Sequence, residues 1–203
     1  TSRLIVEIGN WILMEACKQL QQWRAEGLNN LRIAVNISIR QLADKHLQQL
    51  IADLLKQHEI PAHLLELEVT ESCLQNEVIY ISNLEQLESL GIPISIDDFG
   101  TGYSCLSSLK NLPIRRLKID QSFVKGIPHD SNDCAIAAAI LAMAQKLNLQ
   151  VTAEGIETYD QAFFFFFLGC HELQGYLLSK PVPAEQIPYL IRKFPDRIDA
   201  FNF

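Results

Sequence analysis

Two kinds of hydrophobic pattern alternate along this chain. Short runs of β-branched and aliphatic residues predict strands, whereas longer segments with apolar residues three or four positions apart predict helices. One strand and one helix recur about every 25–35 residues, which is typical of parallel strands joined by crossover helices. The predicted strands span 31–37, 64–70, 92–97, 114–119, 150–154 and 172–177. The predicted helices span about 4–26, 39–58, 77–90, 131–148, 159–168 and 183–194, with a short helix at 103–110.

Capping residues mark where several of these helices begin. Pro183 suits the first turn of a helix, because proline lacks an N–H that would be unpaired there in any case. The caps also show where the preceding strands end, and therefore which loops lie at the carboxyl ends of the strands. Three pairs fit the capping-box pattern: Ser38 with Gln41, Ser72 with Gln75, and Thr158 with Gln161.

The order of the elements predicts an α/β fold. The helix at 4–26 has no strand before it, and six strand–helix units follow. We expect a TIM-like (β/α)8 barrel forming one domain over 1–203, with its first two strands outside this chain and the natural polypeptide longer at its N-terminus. The strands at 31–37 and 172–177 should then not pair with each other. A doubly wound open sheet is the alternative, although GTGYSC at 100–105 lacks the third glycine of a dinucleotide-binding loop.

Composition and charge narrow the function classes. Apolar residues make up 48% and charged residues 20% of the chain, which is ordinary for a globular domain. A net charge of −7 disfavours DNA and anionic membranes as partners, and an anionic substrate would require an added cation such as a divalent metal. Five scattered cysteines without a C-x-x-C pair indicate a reduced, cytoplasmic domain, and no apolar run is long enough to cross a membrane.

Polar side chains follow every predicted strand. Because the carboxyl ends of barrel strands form one face, we expect these side chains to meet there. Converging carboxylates with an amide and no His or Cys favour Mg²⁺ or Mn²⁺. Two such ions about 3.5–4 Å apart suit in-line displacement at phosphorus. The residues are Asn36, Glu68, Glu71, Asp97, Asp98, Lys118, Asp120, Glu154, Glu157 and Gln174.

Within this set the adjacent aspartates and the lysine have distinct expected roles. We expect Asp97 and Asp98 to point to different faces, so that one bridges two ions and the other completes the second ion's coordination. Lys118 would orient the attacking water or offset charge on the phosphoryl group.

Five segments resemble a known family. AVNISIRQL, LELEVTES, SIDDFGTGYSCLSSLKNLPIRRLKID, VTAEGIET and GCHELQGYLLSKPVP, in this order, resemble the EAL-domain family. The resemblance covers essentially the whole chain. It implies a barrel-fold phosphodiesterase that opens cyclic di-GMP to linear pGpG.

The resemblance also implies a role for each matching residue. Metal ligands would be Asn36, Glu68, Asp97, Asp98 and Glu154, with Mg²⁺ or Mn²⁺ as the cofactor and Ca²⁺ inhibitory. Catalytic residues would be Glu154, Lys118 and Gln174. Glu71, Glu157, Phe99 and Gly100 would support the site and its D-D-F-G-T-G loop, and Pro181 and Asp120 would contact the substrate. Family members also suggest a homodimer and additional sensor or GGDEF-type domains, through which this cytoplasmic domain could be tethered to a membrane.

Two other functions remain open from the sequence. One is a catalytically silent EAL-like domain that binds cyclic di-GMP or relays a signal through protein contacts. The other is an unrelated metal-dependent barrel lyase or aldolase. The Glu-Ala-Leu triplet that names the family, and the arginine that follows it, do not occur in the 203 residues. The enzyme interpretation is favoured because the acidic motifs are intact.

Overall fold

A computed structural model describes residues 2–71, 77–102 and 109–193 of the chain. In the described part, strands and helices follow one another along the chain. The strands are β1 (Ile33–Asn36), β2 (Leu65–Thr70), β3 (Ile94–Phe99), β4 (Arg116–Ile119), β5 (Gln150–Ala153) and β6 (Glu172–Leu173). The helices are α1 (Ser2–Ala25), α2 (Ile39–Leu42), α3 (Leu47–Gln57), α4 (Glu77–Ser89), α5 (Ser131–Lys146), α6 (Tyr159–Phe167) and α7 (Ile187–Lys193). Short 3₁₀ helices span Ala62–Leu64, Gln121–Phe123 and Ala184–Gln186.

The sheet has the topology of a barrel wall. Its six strands lie in the order β1-β2-β3-β4-β5-β6, and every neighbouring pair is parallel. A doubly wound sheet would reverse its order at a switch point, so this sequential order excludes that alternative. Strands β1 and β6 stand at opposite ends of the order and, within the described residues, are not hydrogen-bonded to each other, as predicted. The fold is therefore six βα units of a TIM-like half-barrel.

One predicted helix is interrupted in the structure. The helix expected at 39–58 is divided into α2 and α3. The division falls at Asp44, whose side chain accepts a hydrogen bond from the backbone N–H of His46 at 2.9 Å and so competes with continuous helix.

Strand β6 is shorter than the predicted 172–177 because its partner β5 ends at Ala153. After Leu173 the chain pairs instead with the loop that follows β5. The backbone carbonyl of Gln174 accepts a hydrogen bond from the backbone N–H of Ile156 at 3.0 Å. Pro183 also differs slightly from expectation, since it precedes the 3₁₀ helix rather than lying in its first turn.

The predicted helix caps agree where they can be examined. Ser38 with Gln41 and Thr158 with Gln161 each form a complete capping box. The pair Ser72 and Gln75, and nearly all of the short helix expected at 103–110, lie outside the described residues.

The hydrophobic core lies between the sheet and its helices. Helix α1 contacts β1, α2 and α3, and it buries Leu13, Cys17 and Leu20 completely. Helix α6 buries Phe165 and leaves Phe166 and Phe167 exposed. No helix in the described ranges combines the length and apolar character needed to span a membrane.

Candidate functional site

A buried lysine lies at the centre of the carboxyl-terminal face of the sheet. The Lys118 side chain is only 5% exposed, and its ammonium is ion-paired with carboxylates from three other strands or strand ends. We call this group the mouth cluster. The distances from Lys118 Nζ are 2.6 Å to Glu68 Oε1 on β2, 2.7 Å to Glu154 Oε1 after β5, and 3.1 Å to Asp97 Oδ1 on β3.

Burial and charge pull the proton affinities in this cluster in different directions. Burial alone would lower the pKa of Lys118, but ion pairs with Glu154 and Glu68 outweigh it and raise that pKa above its usual value. Burial also raises the pKa of Glu68 and of Glu154, although Lys118 opposes this effect in both. Lys118 is therefore positively charged at neutral pH. Burial removes water from the carboxylates that surround it, which makes their negative charge less favourable.

A β-bulge places the second aspartate. The register between β3 and β4 shifts between Ile96 and Phe99, and Asp98 has a left-handed backbone with φ of 54°. Regular alternation would send Asp97 and Asp98 to opposite faces, as expected from the sequence. The bulge overrides that expectation, because it turns both side chains toward Glu154.

The resulting group of oxygens suits a metal ion. One carboxylate oxygen each from Asp97, Asp98 and Glu154 lies within 4.8 Å of the others. We call these three residues the acidic group. Asp97 Oδ1 is buried, and Lys118 contacts it at 3.1 Å as an ion pair. Burial and the negative charges of Asp97 and Asp120 raise the pKa of Asp98, which a cation would reverse. The donor set is all oxygen, which fits hard divalent cations rather than zinc.

Glu71 fastens the loop that follows β3. Its Oε2 atom accepts hydrogen bonds from the N–H groups of Gly100 at 2.9 Å and Gly102 at 3.3 Å. Gly100 has φ of 99°, and a Cβ there would lie 2.8 Å from the ring of Phe123. At Gly102 a Cβ would lie 2.7 Å from Glu71 Oε1, so only glycine permits the close approach of this carboxylate.

A cavity of about 290 Å³ opens beside the acidic group. Asp120 also caps the 3₁₀ helix by accepting the Ser122 N–H at 3.0 Å, and Glu157 is exposed at the rim. Gln121 and Tyr176 line the cavity although the sequence did not predict them as site residues. Tyr176 could have been predicted, because it lies two residues after Gln174. The lining residues are Asp98, Asp120, Gln121, Glu154, Gly155, Glu157, Gln174, Gly175 and Tyr176.

Three further predicted site residues neither belong to the mouth cluster nor line this cavity. Asn36 ends β1 in register with Glu68, and it is exposed. Phe99 is buried in the core as the last residue of β3. Pro181 is exposed and is not among the described residues that line the cavity.

Comparison with known proteins identifies the family. The EAL domain pattern matches residues 1–181. This chain belongs to the EAL domain family. Membership sets aside the unrelated barrel lyase, and the six parallel strands correspond to part of the EAL barrel.

Two curated relatives are nearly half identical to this chain over the aligned residues. The bifunctional diguanylate cyclase/cyclic di-GMP phosphodiesterase MucR of Pseudomonas aeruginosa is 48% identical over 91% of this chain and 27% of its own length. The signaling protein YkoW of Bacillus subtilis is 47% identical over 96% of this chain and 24% of its own length. The chain thus spans about a quarter of each of these multidomain relatives.

Solved structures agree with the fold. A MucR phosphodiesterase in complex with cyclic di-GMP matches with a TM-score of 0.86 at 48% identity, over 91% of this chain and 75% of that one. The EAL domain of Mycobacterium smegmatis DcpA matches with a TM-score of 0.88 at 38% identity, over 93% of this chain and 85% of that one.

Proposed function

We propose that this EAL domain hydrolyses cyclic di-GMP to linear pGpG in a reaction that requires Mg²⁺ or Mn²⁺. The observation that carries the proposal is the convergence of Asp97, Asp98 and Glu154 beside the buried Lys118. MucR, which shares 48% of the sequence, is named as a phosphodiesterase of this substrate, and its structure was solved with it bound.

The residues that would hold the metal are those of the acidic group, together with Glu68 and Asn36, which are in register on β2 and β1. When bound, a divalent ion offsets negative charge on a phosphodiester and polarises its P–O bonds. Ca²⁺ is larger and takes more ligands in looser geometry, so it should occupy this site and inhibit.

Hydrolysis adds one water across one P–O3′ bond of the cyclic dinucleotide. The water oxygen bonds to phosphorus, its proton passes to a base, and the 3′ oxygen leaves and takes up a proton, giving one 5′-phosphate and one 3′-hydroxyl. Glu154 is our candidate for the base, since its carboxylate faces both Lys118 and the cavity. Lys118, held cationic, stabilises charge on the phosphoryl oxygens, and Gln174 in the cavity wall orients the water.

The remaining assignments concern support, partners and location. Glu71, Gly100 and Glu157 maintain the loop and rim, and Asp120 and Pro181 contact the nucleotide. We further propose that the domain functions as a homodimer in the cytoplasm, within a protein that carries sensor or GGDEF-type domains. MucR supports the last point, because it is named as both a diguanylate cyclase and a phosphodiesterase, and this chain spans 27% of it.

The test is incubation of the protein, in its natural full-length form, with cyclic di-GMP and either Mg²⁺, Mn²⁺, Ca²⁺ or chelator. We expect pGpG with Mg²⁺ or Mn²⁺ and none with Ca²⁺ or chelator. Equal rates with Ca²⁺, or activity that survives chelation, would overturn the metal-dependent proposal. Saturable binding of cyclic di-GMP without pGpG formation would instead identify a silent EAL-like receptor.

A further inference from the structure

A second cluster of charged side chains lies inside the half-barrel, below the mouth cluster and toward the amino ends of the strands. We call it the floor cluster. Arg116 on β4 is 4% exposed and Glu66 on β2 is 2% exposed. They are ion-paired at 3.2 Å, and two further residues, Arg32 before β1 and Glu172 on β6, complete the group. Arg32 contacts Glu66 and Glu172 at 2.7 Å each, and Arg116 contacts Glu172 at 2.5 Å.

Strand geometry links the two clusters. Glu66 and Glu68 are two residues apart on β2, as are Arg116 and Lys118 on β4, so each pair points to the same side of the sheet. The inward side chains beside them are small, namely Ala34, Ser95 and Thr152, which leaves room for the long arginines.

Arg116 also has two partners on β5. It donates to Gln150 Oε1 at 2.7 Å and to Thr152 Oγ1 at 3.2 Å. A planar guanidinium with partners on three strands has little freedom to move. Its strand is thereby held at a defined height relative to β2, β5 and β6.

The charges of the floor cluster balance. Two arginines face two glutamates, and ion pairs with Arg32 and Arg116 lower the pKa of Glu172, so both signs persist at neutral pH. The mouth cluster is not balanced, because one lysine faces three carboxylates. A neutral floor therefore leaves the negative potential at the mouth unopposed, which favours a divalent cation there.

We propose that Arg116 and Glu66 are positioning residues for the proposed phosphodiester hydrolysis: their ion pair sets the height of Lys118 against Glu68 and keeps the floor electrically neutral beneath the metal ligands. The inference rests on the proposed function for its kinetic consequences and on the geometry alone for its electrostatic ones. Neither residue touches the substrate or the acidic group directly; each acts through the residue two positions farther along its own strand.

Removing one charge from the floor should affect the mouth with a predictable sign. Glu66→Gln leaves the floor with one surplus positive charge, which repels a cation at the mouth. Arg116→Met leaves one surplus negative charge, which attracts a cation and also draws the Lys118 ammonium downward. The double variant Glu66→Gln/Arg116→Met retains Arg32 and Glu172, so its floor is neutral again.

The experiment measures Mn²⁺ affinity by titration calorimetry and kcat and KM for cyclic di-GMP, in the full-length protein and these three variants. We expect Kd for Mn²⁺ to rise at least about threefold in Glu66→Gln and to fall at least about threefold in Arg116→Met. Both single variants should lose at least about tenfold in kcat at saturating Mn²⁺ with little change in KM. The double variant should return to within about threefold of the wild type in Mn²⁺ affinity, because its floor is neutral. Its kcat should stay at least about threefold below that of the wild type, because the ion pair that sets the height of Lys118 is absent. Arg115→Met, at an exposed neighbour of the same residue type, should change neither.

Two results would overturn the inference. Equal or same-direction changes of Mn²⁺ affinity in the single variants would contradict the electrostatic role. A double variant with the kcat of the wild type would contradict the positioning role. Should Arg116→Met not fold, Arg32→Gln creates the same surplus at a side chain that is 32% exposed, with the same expected sign. If the wild type lacks phosphodiesterase activity the proposed function fails, whereas the Mn²⁺ titrations still decide the floor.

Discussion

The floor and mouth clusters are built on the same strands from the same kinds of side chain, yet only the floor is neutral. In the floor every arginine and glutamate has a partner of opposite sign, with two of each. In the mouth one lysine is shared by three carboxylates, and Asp98 adds a fourth nearby. Folding alone favours the first arrangement. The second is favourable only when another cation joins it, so the surplus of carboxylates marks where chemistry takes place.

Replacing Glu154 by Gln should separate activity from stability most clearly. We expect hydrolysis to fall by about 10²–10⁴-fold, because a base has been removed. Without metal, the free energy of unfolding should change by less than about 1 kcal/mol, since Lys118 keeps two carboxylate partners. The measurements are pGpG formation and urea unfolding in chelator.

The floor provides the contrasting variant for this comparison. Glu66→Gln, which breaks a buried ion pair, should destabilise the metal-free protein by about 3–5 kcal/mol. Glu85→Gln, on the exposed face of α4, is the neutral control. Near-normal hydrolysis in Glu154→Gln would show that another carboxylate is the base.

The two aspartates of β3 should differ in their effect on metal binding. Asp97→Asn is expected to abolish activity and to weaken Mn²⁺ binding most. Asp97 belongs to the acidic group and is also ion-paired with Lys118. Asp98→Asn should retain the left-handed backbone, which asparagine tolerates, and should mainly reduce turnover. Calorimetric titration with Mn²⁺ tests the pair, and identical stoichiometry and affinity in both variants would refute a bridging role for Asp97.

Two glycines with left-handed backbone extend the comparison to smaller effects. Gly27 precedes β1 at the floor end with φ of 89° and would meet no atom within 4 Å if it carried a Cβ. Gly27→Ala should cost about 1 kcal/mol of unfolding free energy from backbone strain, without loss of activity. Gly100→Ala should cost about 2–3 kcal/mol and lower activity, because its Cβ also meets Phe123 and displaces the N–H that Glu71 holds. Thermal unfolding and kcat of both variants provide the check, and equal losses would exclude the steric contribution.

The last prediction concerns Cys170, a thiol near the floor cluster that has no role in the proposed hydrolysis. Burial raises the pKa of Cys170 from 9.0 to about 11, although hydrogen bonds to nearby backbone oppose this. A raised pKa means less thiolate at pH 8, so native Cys170 should react with iodoacetamide about 100-fold more slowly than in denaturant. The rate should climb steadily up to about pH 11. Site-resolved mass spectrometry measures this, and a plateau near pH 9 would contradict the burial effect.

Much of the fold could be predicted because each element carries its own local signal. The alternation of strand and helix patterns located all six strands, and Thr158 with Gln161 marked the start of α6. Predictions were wrong where a single side chain or a missing partner decided the outcome. Asp44 interrupted a helix through one hydrogen bond, and β6 stopped where β5 had already ended.

The site was predictable in membership and less so in arrangement. Residues at strand ends could be placed at one face from topology alone, which brought Lys118 and Glu154 together. The bulge at Asp98 could not be foreseen, since a left-handed aspartate has no distinctive neighbouring pattern. The floor cluster was also missed, although Glu66 and Arg116 each lie two residues before a predicted site residue on the same strand.

The bulge in β3 has a consequence for how this strand can change over evolutionary time. Deleting one residue between Ile96 and Phe99 would restore a regular ladder with β4 and remove the left-handed backbone at position 98. Such a deletion would make the sheet more regular while turning a carboxylate away from Glu154. Variation that makes the sheet more regular and variation that preserves the acidic group therefore oppose each other at this position.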